Sequence, residues 1–278
     1  MIQRFLLRRV AGIVVTLAVV ATFTFSLTFL LPSDPARLIV GPKGTPEQIA
    51  LVEKRLGLDD PIYVQYGRYL RDLARLDFGY SYVYERPVSD ILVERIPRTA
   101  LLAVAALIVE FGIGLPLGLF LAARAGGIGD RIALSWALLQ ISFPAFWVGL
   151  VLLYLFAFKF TIFPLGGSEL PLGLVLPALT LGLPGAAWYS RIMRETTLEI
   201  LHSEFVQALR AKGAPPRAIL FKHALRTALS PILTMMAIDF GFFLGGAVLV
   251  ESVFAWPGLG FTALQALRGG DIDRKSVV

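Results

Sequence analysis

The sequence has no cysteine among its 278 residues and only two histidines, His202 and His223. Without cysteine the chain forms no disulfide, and a cysteine nucleophile or a zinc site built from thiolates is excluded. Two histidines do not supply a histidine-rich metal site. We therefore expect neither a bound metal nor a cofactor.

Three sequence signatures of catalysis are also missing. The chain contains no Gly-x-x-x-x-Gly-Lys-Ser/Thr phosphate loop, no Gly-x-Ser-x-Gly nucleophile turn and no His-Glu-x-x-His zinc motif. It has no P-loop with which to hydrolyse ATP, and we expect it not to be an enzyme. Any energy taken from ATP has to reach it through another protein.

Hydrophobic residues, in contrast, are abundant. They make up 56% of the chain, against roughly 45–50% in soluble domains, which indicates a membrane protein. The net charge of +6 is compatible with nucleic-acid binding, but the lysines and arginines flank long apolar runs. That arrangement is typical of membrane topology, so we expect no nucleic-acid partner.

Five apolar runs are long enough to cross a bilayer, which takes about 20 residues. They are Val10–Leu31, Thr99–Ala123, Ile132–Phe158 (interrupted by Pro144), Leu172–Tyr189 and Ala228–Phe254. The first run exceeds the roughly 7–15 apolar residues of a signal peptide, so we expect an uncleaved helix. The predicted fold class is an all-α polytopic membrane protein.

Basic residues cluster at the N-terminus, in the 124–131 turn and across 191–226. With five spans, all three clusters lie on one side of the membrane, which the positive-inside rule identifies as the cytoplasm. We expect a cytoplasmic N-terminus, a cytoplasmic loop over 191–228 and an external C-terminus.

Residues 32–98 form a polar segment on the outer side. It holds ten basic and ten acidic residues, so it is neutral overall. Helical periodicity predicts helices over Thr45–Leu56 and Ile62–Leu76, the first capped by Thr45. We expect a small folded extracytoplasmic insertion.

Two acidic residues, Glu110 and Asp239, fall inside apolar spans. Such groups are costly in a membrane and by default face a cavity or a partner. A solute path and a single interhelical hydrogen bond, or protonation in place, explain them equally well. Glu251 and Lys159 are expected near the outer membrane surface, where they need less explanation.

The longest basic interruption of the second half is the segment 203–231. Its periodicity predicts two short helices joined by Gly213-Ala214-Pro215-Pro216, since Gly213 is a typical helix stop and Pro216 suits a first helical turn. Phe205, Ala208 and Leu209 share one face. An amphipathic linker resting on lipid headgroups and a docking element for a cytosolic partner are equally good interpretations.

Six sequence motifs identify the chain more specifically than its helical periodicity does. They are Leu31-Pro32-Ser33-Asp34-Pro35-Ala36, Leu56-Gly57-Leu58-Asp59-Asp60-Pro61, Leu76-Asp77-Phe78-Gly79-Tyr80-Ser81, Arg95-Ile96-Pro97-Arg98-Thr99, Phe143-Pro144-Ala145-Phe146-Trp147 and Glu251-Ser252-Val253-Phe254-Ala255-Trp256-Pro257-Gly258-Leu259-Gly260. Because these motifs occur in the family's order, residues 1–265 resemble the B-type permease subunits of bacterial and archaeal dipeptide and oligopeptide ABC importers.

The resemblance implies a type I ABC importer permease fold in a prokaryotic plasma membrane. It also implies a single transmembrane domain over 1–278 and three kinds of partner: a second permease in a heterodimer, two cytoplasmic ATPase subunits and an extracytoplasmic solute-binding protein. The cytoplasmic loop would be the coupling loop that docks on an ATPase. Its matching residues are Gln207, Ala208, Arg210, Ala211, Lys212, Gly213, His223, Leu225 and Arg226.

The sequence departs from the family in two places. Gln207-Ala208-Leu209 replaces the general Glu-Ala-Ala triplet, with Gly213 still in register, which leaves open the identity of the ATPase. The family's sixth span is missing: the chain stops in a polar tail from Gly269 to Val278. We expect a truncated or misread gene end.

Similar permeases carry dipeptides, oligopeptides, nickel chelates or sugars, so the sequence does not identify the solute. Two rival functions also remain. One is a self-sufficient channel or secondary carrier that uses Glu110 and Asp239. The other is a structural or receptor subunit in which the 32–98 insertion is the working part.

Overall fold

The computed structural model describes residues 2–30, 36, 40, 45–167 and 171–269. Helices dominate these ranges. In chain order the elements are α1 (Ile2–Leu30), α2 (Pro46–Leu56), α3 (Ile62–Ala74), β1 (Tyr80–Ser81), β2 (Arg86–Pro87), α4 (Val88–Ala123), α5 (Ile128–Ser142), α6 (Ala145–Leu152), a π-helix (Leu153–Lys159), α7 (Leu172–Leu201), α8 (Glu204–Ala211), α9 (Pro216–Ala218), a second π-helix (Ile219–Ala224), α10 (Leu225–Gly246), α11 (Val248–Val253) and α12 (Leu259–Arg268).

Among the described residues, four helices are long and apolar enough to span a membrane: Gln3–Leu27, Val88–Ala123, Leu172–Leu201 and Pro216–Gly245. The predicted third span, 132–158, is two helices, because α5 ends at Ser142 and α6 begins after Pro144. Proline at position 144 has no N–H to donate, so it separates the two helices.

Three helices extend beyond the predicted spans. Helix α4 begins at Val88 rather than Thr99, α7 continues to Leu201 rather than ending at Tyr189, and the last long helix starts at Pro216 rather than Ala228. Apolar composition marks the membrane-embedded part of a helix. The backbone hydrogen bonds continue past it wherever polar helix formers follow.

The chain divides into two compact units, and the first comprises residues 1–94 and 263–278. Here α1 packs against α3 through Phe25, Ala21 and Tyr69, and the hydroxyls of Thr22 and Tyr66 lie 2.7 Å apart. The predicted Thr45 cap is confirmed: its side chain accepts a hydrogen bond from the Gln48 backbone N–H. The predicted helices of the insertion are therefore present.

The second unit, residues 95–262, holds the helix bundle. Helices α4 and α7 cross closely because small residues face each other there. A Cβ atom on Gly118 would collide with the Ser190 carbonyl, and one on Gly182 would lie 2.6 Å from the Ala106 carbonyl. Such glycines let two backbones approach in a membrane protein.

Two expectations fall outside the described residues. One is the motif at 31–35, which carries part of the family resemblance. The other is most of the polar tail, from residue 270 onward.

Candidate functional site

Helix α8 is the short helix at the centre of the basic segment. It starts at Ser203, whose Oγ accepts a hydrogen bond from the Val206 N–H at 3.4 Å. It stops at Gly213, which has a φ of +77°. The Ala214 N–H donates to the Leu209 carbonyl at 3.0 Å, the long bond of a Schellman stop. The predicted helix stop at Gly213 is confirmed.

The second arm of the predicted hairpin is not a separate short helix. Pro216 is the first residue of α9, as expected, but the helix then continues through the π-helical turn and α10 to Gly246. Within the described residues 216–246 no glycine stop interrupts it, and Pro231 is accommodated inside it. The site is therefore one short helix held between the ends of two long ones.

The apolar face of α8 is partly exposed. Phe205 is 55% exposed, Ala208 is also exposed and Leu209 is half-buried. Val206, which sequence periodicity did not single out, is fully buried and anchors the helix. Aromatic residues are enriched at the cores of protein contact surfaces, so the exposed Phe205 makes α8 a candidate contact surface.

The nine residues matched to the coupling loop lie mostly at the surface. Those exposed are Gln207, Ala208, Arg210, Ala211, Lys212, Gly213 and Arg226, whereas His223 and Leu225 are half-buried. The structure joins the two parts of the set through an edge-on ring contact between Phe205 and His223, 5.8 Å between centroids. Phe221, 60% exposed, adds a second aromatic residue that the sequence reasoning did not select.

The end of α7 next to α8 is fixed by a buried ion pair. The Arg194 guanidinium donates two hydrogen bonds of 2.6 Å to the two carboxylate oxygens of Asp130, and the Gly126 N–H donates a third at 2.9 Å. The Arg194 hydrogen bonds, followed by that from Gly126, hold the pKa of Asp130 below its ordinary value. The pair ties the turn before α5 to α7, and no local signal in the sequence predicts it.

The two intramembrane acids lie inside the bundle. Asp239 accepts a hydrogen bond from the hydroxyl of Tyr189, which is itself buried and packs on Phe111 at 4.6 Å. Glu110 is 3% exposed and lies against Gly185; its Oε2 has no hydrogen-bond partner among the described residues. Asp239 thus makes an interhelical hydrogen bond. A role in the solute path stays a prediction for both acids.

Glu251 has a fully buried side chain. It therefore needs more explanation than the sequence suggested, whereas its place near the outer membrane surface stays a prediction. One carboxylate oxygen accepts from the Thr99 hydroxyl at 2.7 Å and the other from the Phe261 N–H at 2.9 Å. The acid therefore caps the start of α12 and binds it to α4 and α11. Gly258 lies so close to Glu251 that a Cβ atom on it would collide with the carboxylate. The glycine at position 258 is thus the sequence feature that accompanies the buried acid.

Within residues 2–30, 45–167 and 171–269, no three His, Asp or Glu side chains come together as metal ligands would. The chemistry available at α8 is that of an apolar, basic contact surface.

Two family descriptions match this chain. The binding-protein-dependent transport system inner membrane component matches residues 114–277, and the N-terminal component of the same kind of system matches residues 1–103. Among curated proteins, the glutathione transport system permease protein GsiC of Salmonella paratyphi A is 39% identical over 256 residues, covering 92% of this chain and 84% of the relative. The corresponding protein of Escherichia coli K12 is 37% identical over the same lengths.

Solved structures show the same architecture. An inward-facing form of the MetNI methionine ABC transporter aligns with a TM-score of 0.56 and 23% identity, over 67% of this chain and 84% of that one. A second crystal form of the same transporter aligns with a TM-score of 0.51, over 63% and 79%. The similarity supports the predicted type I ABC importer fold.

Proposed function

Because the chain belongs to the family of binding-protein-dependent transport system inner membrane components, we propose that it forms part of the path by which an ABC importer takes up small peptides. The permease role follows from the family. The peptide class is supported by the relatives named as glutathione permeases, since glutathione is a small peptide.

The proposal assigns the coupling contact to α8. An ATPase subunit would receive the exposed face formed by Phe205 and Ala208, and the basic residues Arg210, Lys212 and Arg226 would set its orientation. Buried apolar anchors supply most of the affinity of such contacts, whereas rim charges guide approach and register. The observation that carries this assignment is the exposure of the apolar face of an otherwise well-anchored helix.

Motion would pass from α8 into the bundle through its rigid connections. The Schellman stop at Gly213 fixes the angle at which the chain leaves α8, and Val206 keeps the helix seated. The Arg194–Asp130 pair joins the adjoining end of α7 to α5. Closure of two ATPase subunits on ATP would then be transmitted to the spans that exchange inward and outward openings.

The assembly proposed is a heterodimer of this chain with a second permease, together with two ATPase subunits and an extracytoplasmic binding protein that delivers the solute. The proposed orientation places the N-terminus and α8 in the cytoplasm, supported by the basic residues that flank the spans. The binding protein would choose among peptide solutes.

Substitutions at Gly213 test the coupling role. Gly213→Pro cannot adopt the φ of +77° and loses the N–H that donates to Arg210. Gly213→Asn is the matched control, because asparagine tolerates this conformation. In vesicles holding the complete transporter, we expect the proline variant to abolish ATP-driven uptake while leaving the chain in the membrane, and the asparagine variant to retain it. Wild-type uptake by Gly213→Pro would remove α8 from the mechanism.

A further inference from the structure

A groove runs between α4 and the helix formed by α9 and α10. One part of the groove is a cavity of about 880 Å³. A second cavity of about 520 Å³ continues from it, and Phe111 lines both cavities. All described lining residues are apolar or glycine except two arginines, Arg124 and Arg217. The groove is therefore apolar along its length, with positive charge at one end only.

The two arginines lie at one end of the groove. Arg124 directly follows α4, and Arg217 is the second residue of α9. Both side chains are exposed, and within the described part of the chain neither pairs with a carboxylate. The Arg124 guanidinium lies 4.3 Å from the centre of the Phe120 ring, a cation–π contact that leaves its hydrogen-bond donors free.

The groove follows α4 from Val104 to Arg124, 20 positions or roughly 30 Å along a helix, which is about the thickness of the hydrocarbon core. A lipid whose headgroup lies at the arginines would place its chain in the part nearest to them, between Arg124 and Phe111. Such a molecule, charged at one end and apolar along the rest, matches the polarity of the site.

We propose that this groove binds an anionic phospholipid, with the phosphate held by Arg124 and Arg217 and an acyl chain along α4. Basic pockets between membrane helices on the cytoplasmic side are general binding places for anionic headgroups. Arginine suits a phosphate because its planar fork donates two parallel hydrogen bonds. The unpaired charges identify the occupant as an anionic lipid rather than a neutral one.

Lipid retention tests the proposal directly. The complete transporter is equilibrated in vesicles of phosphatidylcholine containing phosphatidylglycerol and then purified in detergent, and bound lipid is counted by native mass spectrometry. We expect retained phosphatidylglycerol in the wild type and a roughly 30-fold lower retention in Arg124→Gln/Arg217→Gln, given the usual electrostatic contribution of two arginines at an anionic surface. The control Arg131→Gln/Lys222→Gln removes the same charge elsewhere and should retain lipid.

A second variant keeps both charges. Ala123→Trp places a large ring at the exposed mouth of the groove and should lower retention without altering the arginines. Equal phosphatidylglycerol retention in the wild type, the double arginine variant and Ala123→Trp would overturn the proposal. So would a photo-crosslink from position 229, in the groove wall, to the partner permease in place of lipid, because the groove would then be a protein interface.

Discussion

Arg194 and Asp130, 64 positions apart, form a two-pronged ion pair with both hydrogen bonds at 2.6 Å. The Asp130 side chain is 2% exposed and that of Arg194 is 16% exposed. This pair fixes the end of α7 from which the chain enters α8. The proposed coupling contact therefore depends on residues outside the segment 203–231 that the sequence singles out.

Removal of the Asp130 charge should destabilise the protein markedly. Asp130→Asn leaves a largely buried guanidinium without its counter-ion, and breaking one side of such a pair costs about 3–5 kcal/mol. Thermal unfolding in detergent measures the loss. The control Glu195→Gln breaks the exposed pair of Arg191 and Glu195 and should change stability by at most about 0.5 kcal/mol. Equal melting temperatures for the two variants would contradict this role.

The same pair predicts a pH dependence. Arg194 lowers the pKa of Asp130 below its ordinary value of 3.8, so the ionised form is favoured by folding. Its stabilisation is fully present above that ordinary value and is lost only as the pH falls through the lower folded pKa. The stability difference between wild type and Asp130→Asn should stay constant from pH 8 to about pH 5 and shrink below about pH 4. A difference that disappears already near pH 6 would rule out this cause.

The hydroxyl of Thr99 should contribute more to the stability of the protein than the shape of its side chain does. It donates to Glu251 at 2.7 Å and accepts from the Leu259 N–H at 2.8 Å. Thr99→Val keeps the shape but leaves a buried acceptor and a donor unpaired, at about 1–3 kcal/mol for each group. Thr99→Ser keeps the hydroxyl and should cost far less. Thermal unfolding of the two variants separates them, and a serine variant as unstable as the valine variant would refute the hydrogen-bond explanation.

Two glycines of α4 should differ in how replacement by alanine affects stability. Gly118 faces the Ser190 carbonyl and Met193, so an added Cβ forces α4 and α7 apart. No atom of the described residues lies within 4 Å of a Cβ on Gly112. We expect Gly118→Ala to lose about 1–3 kcal/mol and Gly112→Ala to fold as well as the wild type. Unfolding by heat, followed by tryptophan fluorescence, provides the comparison. Similar melting temperatures for both variants would mean that the helices do not cross where the structure places them.

Local signals in the sequence predicted the positions of the helix ends that depend on backbone geometry. Gly213 needs a positive φ, Thr45 offers a capping oxygen and Pro144 lacks an N–H, and each of these requirements acts within a few residues. The structure has a helix end at each of them.

Contacts between distant residues could not be predicted in this way. The burial of Glu251 depends on Thr99, 152 positions earlier, and the hydrogen bond between Tyr189 and Asp239 joins two helices. The extent of α7 and of the helix from Pro216 was underestimated because hydropathy reports where lipid ends, whereas helices end where hydrogen bonding ends. Pairings of this kind follow from tertiary packing and have no periodic signature.

The central claim is that α8 contacts an ATPase, and the absence of native cysteine makes one measurement especially direct. A single cysteine is introduced at the exposed Ala208, with Tyr63→Cys in the outer insertion as the control. A maleimide that carries a photoactivatable group is attached to it, and the assembled transporter is illuminated in vesicles. We predict crosslinks from position 208 to a nucleotide-binding subunit, changing in yield when ATP is added, and none from position 63. The absence of crosslinks from position 208, or labelling of that position only from the side opposite the ATPase, would contradict the account.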